Sequence, residues 1–495
     1  FDGFRQVAAN EFSEVWLIDL GGNVRENPKL SGTKHNVFGI QTGVAISFMV
    51  KRAKHKGCRV FYARRPELET AEEKLSWLGG AQLSSVGTEE ITPDEAGTWV
   101  NPGERDFATL LPLVDKTAKA ATSKRGERAI FKLFSPGLKS QRDEWVYDFS
   151  PKTLEAKMRF LVEGYEAARV SPGIQGRQAI KWDRELTRYR ERNIEKRFER
   201  SAIVPALYRP FSRRLLYFDR HFNAMQYKMA SMFKDGRAQN QVISFSDRGS
   251  RSPFSVLASA EIPELHLCAS TDGFQVVPLL VYEGTGGQSN NNITDWALDQ
   301  FKKHYQPGRA KQNRPITKEA IFHYVYGVLH DPVYREKYSQ NLKRESPRIP
   351  FCADFWQWAD WGKELMDLHI GFDQVVPAKI PRTDIPDEKS LKAGVAPKAM
   401  LKADKDAGCI VLDSETTLSG IPREAWAYTL GNRSALEWVL DQYKEKKSKD
   451  PTIREKFDTY RFADYKEKVI DLLARVTTVS IRTVAIANSM KYAAR

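Results

Sequence analysis

One stretch near the middle of the chain, residues 316–351, constrains the fold more than any other. It reads ITKEAIFHYVYGVLHDPVYREKYSQNLKRESPRIPF. Thr317 is a good helix cap, and apolar residues then recur at the spacing of a helix, at Ile321, Val325, Val328 and Leu329. The pattern predicts a helix that buries this stripe.

The same stretch predicts a second helix directly after the first. Asp331 is a good N-cap and Pro332 suits a first helical position, so the dipeptide ends one helix and begins the next. Tyr334, Tyr338 and Leu342 recur as the inner stripe, and two prolines then close the pattern. We therefore expect a helical hairpin.

Composition is that of a globular chain with room for several domains. Of its 495 residues, 41% are hydrophobic and 28% charged, and a domain holds roughly 150 residues. No apolar run reaches the ~18 residues of a membrane helix, so we expect no membrane partner. The cysteines lie far apart without CxxC or Cys/His pairs, which predicts no metal site and fits a reducing cytoplasm: Cys58, Cys268, Cys352 and Cys409.

Positive charge is concentrated in one part of the chain. The formal net charge is +14, and residues 181–251 alone hold 17 Lys/Arg against 8 Asp/Glu, a net of +9. This excess predicts a polyanionic partner. Residues 181–200 are expected to form an exposed helix with interleaved charges, and a solvated face laced with i,i+4 ion pairs is the simpler interpretation.

Residues 207–229 interleave basic and aromatic side chains in a strand-like alternation. Guanidinium groups suit phosphate oxygens and the guanine edge, which predicts DNA contact by Arg209, Arg213, Arg214 and Arg220. The alternative is a sheet edge whose arginines pair with Asp219 and neighbouring carboxylates.

A short polar loop follows the arginine-rich stretch, at residues 246–251 (SDRGSR). Small polar side chains and a glycine let backbone and guanidinium groups approach base edges closely. We predict that this loop enters a DNA groove and supplies specificity through Arg248, Ser250 and Arg251.

Several blocks of the chain closely resemble type ISP restriction–modification enzymes. Those proteins join a nuclease, a helicase-like motor, an adenine-N6 methyltransferase and a DNA-reading domain in one chain. The clearest blocks are residues 15–50, 206–220 and 316–351, and the resemblance extends over nearly the whole sequence. It implies an α+β fold: the tail of a Rossmann-like methyltransferase sheet (1–128), then a mixed α/β target-recognition domain (129–495) with a helical carboxy-terminal region.

The resemblance assigns a role to one aromatic residue in the first part. In this class of methyltransferase a Phe early in the region stacks on the flipped-out target base, and Phe38 is the matching residue here. An extruded adenine loses its stacking partners, and an aromatic face replaces them. The alternative interpretation places Phe38 in the core, where Phe usually lies.

Several motifs of the family are missing from this sequence. There is no Asn/Asp-Pro-Pro-aromatic motif and no Walker A motif, and the glycine loop at 19–23 is a weak candidate for a cofactor loop. We therefore expect a fragment without catalytic residues, metal or cofactor. The resemblance implies that the parent protein binds S-adenosylmethionine mainly outside this chain, and ATP and Mg²⁺ in its motor and nuclease.

The resemblance also implies the partners of the chain and the activity of the whole protein. The partners are double-stranded DNA and the methyltransferase, helicase and nuclease domains of the parent polypeptide, in the bacterial cytoplasm. The parent would methylate adenine N6 and cleave unmodified DNA. The alternative is a stand-alone DNA-binding or assembly subunit without catalytic domains.

Overall fold

The computed structural model describes residues 2–24, 30, 32–94, 97–100, 103–171, 180–269, 271–283, 288–305 and 314–495. The chain divides into two compact units, Phe1–Arg105 and Asp106–Arg495. This division falls before the boundary expected at residue 128, because Phe107, Leu113 and Val114 are buried in the main core of the second unit. The assignment of the first part to a methyltransferase domain stays a prediction.

The first unit is built on a small mixed sheet. Its central strand, Glu14–Gly21, pairs antiparallel with Val44–Val50 and parallel with Arg59–Arg64, which pairs in turn with Glu89–Ile91. Two helices, Asp2–Glu11 and Ala71–Gly80, accompany the sheet. Its core is small, since the fully buried apolar cluster holds only Ala8, Val15, Val60 and Trp99 among the residues that the structure describes.

The described residues of the second unit form three four-stranded sheets and three strand pairs. The first sheet has the order Val256–Ser259, Val242–Ser246, Phe274–Pro278, Ser135–Pro136. The second has the order Ile262–Pro263, Ile203–Arg209, Ser212–Tyr217, Tyr147–Asp148. The third has the order Arg382–Asp384, Thr416–Leu418, Cys409–Asp413, Ala399–Asp404. The strand pairs are Leu280–Tyr282 with Ser289–Asn291, Arg348–Ile349 with Leu111–Pro112, and Thr429–Leu430 with Arg433–Ser434.

Helices surround and connect these sheets, so the mixed α+β class is confirmed. The α-helices of the second unit are Lys116–Ala120, Asp143–Val146, Pro151–Val170, Arg184–Glu191, Met229–Met232, Asp295–His304, Lys318–His330, Pro332–Lys337, Ser339–Arg344, Phe355–Ile370, Glu388–Ala393, Arg423–Ala427, Ala435–Tyr443, Pro451–Lys456 and Lys466–Met490. Short 3₁₀ helices occur at Arg105–Thr109, Lys124–Gly126, Arg200–Ala202, Lys234–Gly236 and Phe462–Tyr465.

The predicted helical hairpin is confirmed. The hydroxyl of Thr317 accepts a hydrogen bond from the backbone N–H of Ala320 at the start of Lys318–His330. Asp331 caps the following helix, with Pro332 in its first turn. The second helix is split at Tyr338 into Pro332–Lys337 and Ser339–Arg344, and its expected inner stripe is buried.

The first helix of the hairpin is buried on all sides, where the sequence predicted a single stripe. Every residue from Ala320 to His330 is buried, as expected of a helix in the middle of a large core. It packs on Phe355–Ile370 at very close range, because two glycines leave the contact clear. A Cβ at Gly327 would lie 2.5 Å from the Trp358 carbonyl oxygen, and one at Gly362 would overlap the His323 carbonyl.

Two local predictions are corrected. The residues at 265–269 (LHLCA) predict a short strand, but the chain turns there, because the Glu264 carboxylate accepts the His266 backbone N–H. Residues 384–407, a Lys/Asp/Pro-rich stretch that predicts a polar surface excursion, are mostly exposed; within them the strand Ala399–Asp404 pairs with Cys409–Asp413 and buries Leu401. The helix expected over residues 181–200 covers only Arg184–Glu191.

Candidate nucleic-acid interface

The strand pair Ile203–Arg209 and Ser212–Tyr217 holds the first three arginines predicted to contact DNA. Arg209 is nearly buried, with 13% of its side chain exposed, and its guanidinium lies 2.5 Å from the carboxylate of Glu264, which is 3% exposed. The same carboxylate accepts the backbone N–H of His266. Arg209 therefore closes a buried ion pair between the strand pair and the turn that follows Ile262–Pro263.

The next two arginines of the strand pair also have partners within the protein. Arg213 donates to the Glu261 carboxylate at 2.7 Å and to the Ile370 carbonyl at 2.7 Å, and it also pairs with Asp373. The guanidinium of Arg214 lies 4.6 Å from the ring centre of Phe149. Together with the Arg209 pair, these contacts match the alternative of a sheet whose arginines pair with carboxylates.

The carboxylates in these pairs are not the one named from the sequence. Asp219 instead accepts the backbone N–H groups of His221 and Phe222 and so closes a turn. Arg220, on that turn, is exposed. Of the four arginines predicted in this stretch, Arg220 therefore has the placement that suits a phosphate, whereas the other three hold the fold together.

The polar loop at 246–251 is held rigidly at its base. Asp247 donates its backbone N–H to the Gly273 carbonyl, and its carboxylate accepts from the Gln275 side chain at 2.9 Å. Gly249 donates its backbone N–H to the Lys343 carbonyl at 2.7 Å, which ties the tip of the loop to the helix Ser339–Arg344. These bonds fix the path of the backbone before any ligand binds.

Asp272 fixes the other end of the loop. Its carboxylate accepts the backbone N–H groups of Arg251 and Ser252 and the Arg251 guanidinium, and it also accepts the Ser250 hydroxyl at 3.4 Å. Burial acts to raise the pKa of Asp272, but the hydrogen bonds from Arg251 outweigh it and lower that pKa below its usual value. Ser250 and Arg251 therefore support the loop.

Arg248 differs from the other two predicted base readers. It is exposed, and its guanidinium forms no ion pair or hydrogen bond with the described part of the chain. Gly249 beside it has φ +77°, and a Cβ there would meet nothing within 4 Å. The loop therefore presents one extended guanidinium beside open backbone, with exposed Lys343 nearby in the chain segment that the loop contacts.

Phe38 lies on a tight turn in the first unit and is 73% exposed. The Asn36 side chain organises this turn: its oxygen accepts the backbone N–H groups of Phe38 and Ile40, and its nitrogen donates to the Thr42 carbonyl at 2.7 Å. Such exposure is incompatible with the alternative interpretation of Phe38 as a core residue. An aromatic ring on a fixed turn is available for stacking.

The glycine loop at 19–23 is filled by the protein's own contacts. The Asp19 carboxylate accepts the Gly21 backbone N–H at 2.8 Å and the Tyr62 hydroxyl at 3.0 Å. Burial, followed by the charge of Asp19, raises the pKa of Tyr62 to about 12. A Cβ at Gly22 would lie 2.7 Å from the His35 carbonyl oxygen. These contacts are made within the protein, and the expectation that this loop binds no cofactor stays a prediction.

Comparison with known families identifies the chain. Residues 129–472 match the model of the type ISP C-terminal specificity domain. This chain belongs to the type ISP family. Within its described residues there is no group of three or more His, Cys, Asp and Glu side chains that could hold a metal ion.

Solved structures of longer proteins contain the same fold as this type ISP chain. It is similar to DrdV in a DrdV–DNA complex (42% identity, TM-score 0.86), to a nuclease-deletion mutant of the type ISP enzyme LlaGI with a DNA substrate mimic (26%, 0.77), and to the ATP-dependent type ISP enzyme LlaBIII bound to DNA (25%, 0.79). Each match covers 99% of this chain but 49%, 44% and 31% of the respective relative. No curated protein matches the sequence.

The type ISP chain thus carries about half the length of these relatives or less. Among its described residues, no helix is long and apolar enough to cross a membrane. The sequence predicts base contacts from Arg248, Ser250 and Arg251 alike, whereas in the structure Arg248 is exposed and the other two contact Asp272, some twenty residues further along the chain.

Proposed function

We propose that this chain is the target-recognition part of a type ISP restriction–modification enzyme and reads a specific sequence in duplex DNA. The match of residues 129–472 to the specificity domain carries the proposal. The three similar structures, each a complex with DNA or a DNA mimic, support it.

Within this function, the loop at 246–251 is the base-reading element. Its backbone is fixed by Asp247 and Asp272, and Arg248 extends from it into solvent. A guanidinium on a rigid loop can donate two hydrogen bonds to the O6 and N7 atoms of guanine. Because the loop is organised before binding, little conformational freedom is lost when it enters a groove.

The finer architecture belongs to the same proposal. We infer that the first unit is the tail of a Rossmann-like methyltransferase sheet, with Phe38 as the residue that stacks on the flipped adenine. The strand Val44–Val50 supports this: it is an edge strand of the small sheet, almost entirely apolar, yet much of it is exposed, including Phe48. Exposed apolar edge strands favour further pairing or cover.

The parent protein would then methylate adenine N6 with S-adenosylmethionine and would use ATP and Mg²⁺ for translocation and cleavage in the bacterial cytoplasm. The internal contacts of Asp19 and Gly22 support a cofactor site outside this chain. The length of the reading frame upstream of Phe1 distinguishes this protein from a stand-alone DNA-binding subunit.

Selection from a random-sequence duplex library tests the function directly. We expect the chain to enrich one sequence motif, and Arg248→Ala to weaken binding to that motif by roughly 1–3 kcal/mol with little change on scrambled duplex. Arg220→Ala is the control, because a phosphate contact weakens all sequences alike. Failure of the wild-type chain to enrich any motif would contradict the proposed function.

A further inference from the structure

A short basic helix, Arg184–Glu191, lies outside the loop described above and has one face of arginines. Arg184 and Arg188 of the helix and Arg192, the residue at its C-cap, follow one another at intervals of four residues, and all three are exposed. Residues four apart lie on the same side of a helix. None of the three forms an ion pair with a described carboxylate, including Glu185 and Glu191 of the same segment.

The opposite side of this helix is anchored firmly, so the basic face points in a fixed direction. Leu186 is fully buried, and the ring of Tyr189 packs edge-on against His221 at 4.6 Å between centroids. Asp183 caps the helix by accepting the Leu186 backbone N–H, and it also pairs with the buried guanidinium of Arg142.

The arginines of this face are not stabilised by ion pairs with the described carboxylates, and like charges at i,i+4 repel each other. Arg184 occupies the first helical position, where the positive end of the helix dipole disfavours a cation, whereas Arg188 and Arg192 lie at the C-terminal end, where the dipole favours one. The sequence interpretation of a face laced with internal ion pairs does not hold for these three arginines, so their charge is available to an external anion.

We propose that Arg184, Arg188 and Arg192 form a phosphate-binding face that contacts the backbone of duplex DNA regardless of sequence. Successive arginines lie about 6 Å apart along the helix axis, a spacing comparable to the rise of two base pairs, about 3.4 Å each, along the duplex axis. The inference rests on the proposed function. In it, the arginine face contributes affinity for DNA of any sequence, and the loop with Arg248 contributes specificity for the target sequence.

The triple variant Arg184→Gln, Arg188→Gln, Arg192→Gln tests the proposal. Binding of the full chain to a random-sequence duplex pool is measured at several salt concentrations. Three lost phosphate contacts should flatten the slope of log affinity against log salt by about 2.7 units and weaken binding to all sequences. The melting temperature should change little, because the three side chains are exposed and their lost repulsion is offset by lost charge–dipole interactions at the C-terminal end of the helix.

A matched control removes three exposed charges elsewhere in the same unit, with Lys389→Gln, Lys398→Gln and Lys402→Gln. This variant should leave the slope nearly unchanged. Equal flattening in both variants would show a general charge effect and would overturn the proposal, as would an unchanged slope in the arginine variant.

Motif selection separates this proposal from the proposed function. The arginine variant should enrich the same motif as the wild type, since Arg248 is intact. Suppose that the wild type enriches a motif but the arginine variant keeps the full salt dependence of binding. The proposed phosphate contact is then contradicted, while the proposed function in target recognition is supported. If the wild type enriches no sequence motif, the proposed function itself is contradicted, whatever the salt dependence of the arginine variant.

Discussion

Two sets of arginines in the second unit have the same chemistry and opposite surroundings. Arg209, Arg213 and Arg214 lie in the strand pair with carboxylates, carbonyls or aromatic rings around each guanidinium. Arg248 and the three arginines of the basic helix extend into solvent. A basic stretch of sequence therefore contains both structural cations and cations available to a partner, and only their neighbours separate them.

The two sets also differ in what their removal should change. A buried ion pair leaves an uncompensated charge when one partner is lost, which costs much stability. An exposed guanidinium contributes little to folding, because water solvates it well. Stability measurements and DNA-binding measurements should therefore divide the arginines into the same two sets as the structure does.

The largest expected effect is the loss of stability when Arg209 is replaced. Arg209→Ala strands the Glu264 carboxylate, which is 3% exposed, and should lower the free energy of unfolding by about 3–5 kcal/mol. Chemical denaturation of the full chain measures this. Arg220→Ala, an exposed control from the same stretch, should change stability by less than about 0.5 kcal/mol.

The double variant Arg209→Met, Glu264→Gln sharpens the same test. Because it removes both charges, it should be less destabilising than Arg209→Ala alone. If Arg209→Ala were as stable as the wild type but bound DNA more weakly, Arg209 would belong with the exposed set, and the comparison would fail.

The next largest effect compares an exposed aromatic residue with a buried one. Phe38 is 73% exposed and Phe211 is 1% exposed. In the intact enzyme, Phe38→Ala should slow adenine methylation by the equivalent of roughly 1–3 kcal/mol of base stacking and leave the melting temperature unchanged. Phe38→Trp should be partly tolerated.

Phe211→Ala is the matched control, and it should cost about 3–5 kcal/mol of stability as a buried aromatic. Methyl transfer measured with radiolabelled cofactor, alongside thermal melting, separates the two. An unchanged rate of adenine methylation in Phe38→Ala would contradict the proposed stacking of Phe38 on the flipped base.

The smallest expected effect is on the pH dependence of the free energy of unfolding, because buried and exposed ionisable groups titrate differently. Burial, followed by the charge of Arg335, lowers the pKa of His369 to about 3. Its ring is hydrogen-bonded to the Tyr326 hydroxyl at 2.6 Å and to the Thr483 hydroxyl at 2.9 Å. Between pH 3 and about 6.5 the unfolded chain therefore binds a proton that the folded chain does not.

Stability from His369 is thus fully present above about pH 6.5 and is lost as pH falls, by at most about 1.4 kcal/mol per pH unit. Denaturation between pH 7 and 5.5 measures the slope, which His369→Gln should reduce. The exposed arginines stay charged throughout this range. An identical slope in His369→Gln would contradict the assignment.

Much of the local structure could be predicted from residue chemistry. The caps at Thr317 and Asp331 were found because Ser, Thr and Asp side chains satisfy free backbone N–H groups at a helix start, wherever the helix packs. The turn at 265–269 and the strand Ala399–Asp404 were missed, because the first depends on the Glu264 carboxylate and the second on its pairing with Cys409–Asp413.

The candidate site divides in the same way. The sequence located the basic, aromatic and polar-loop stretches, since charge and residue type are local properties. It could not assign Ser250 and Arg251 to a supporting role, because their partner Asp272 follows two further strands, Val256–Ser259 and Ile262–Pro263, along the chain. The sequence also could not predict that Arg184, Arg188 and Arg192 form no ion pairs with the described carboxylates. Ion pairing depends on which carboxylates the fold brings close to each guanidinium.

The sequence by itself thus determined the family, the α+β class, the helical hairpin and the region that carries the positive charge. These follow from motifs, periodicity and composition, which need no knowledge of distant neighbours. Only the tertiary structure decided that Arg209 is nearly buried in an ion pair while Arg248 is exposed, and that Phe38 lies outside the core. Burial and pairing depend on contacts between residues far apart in the chain, and those contacts exist only in the folded protein.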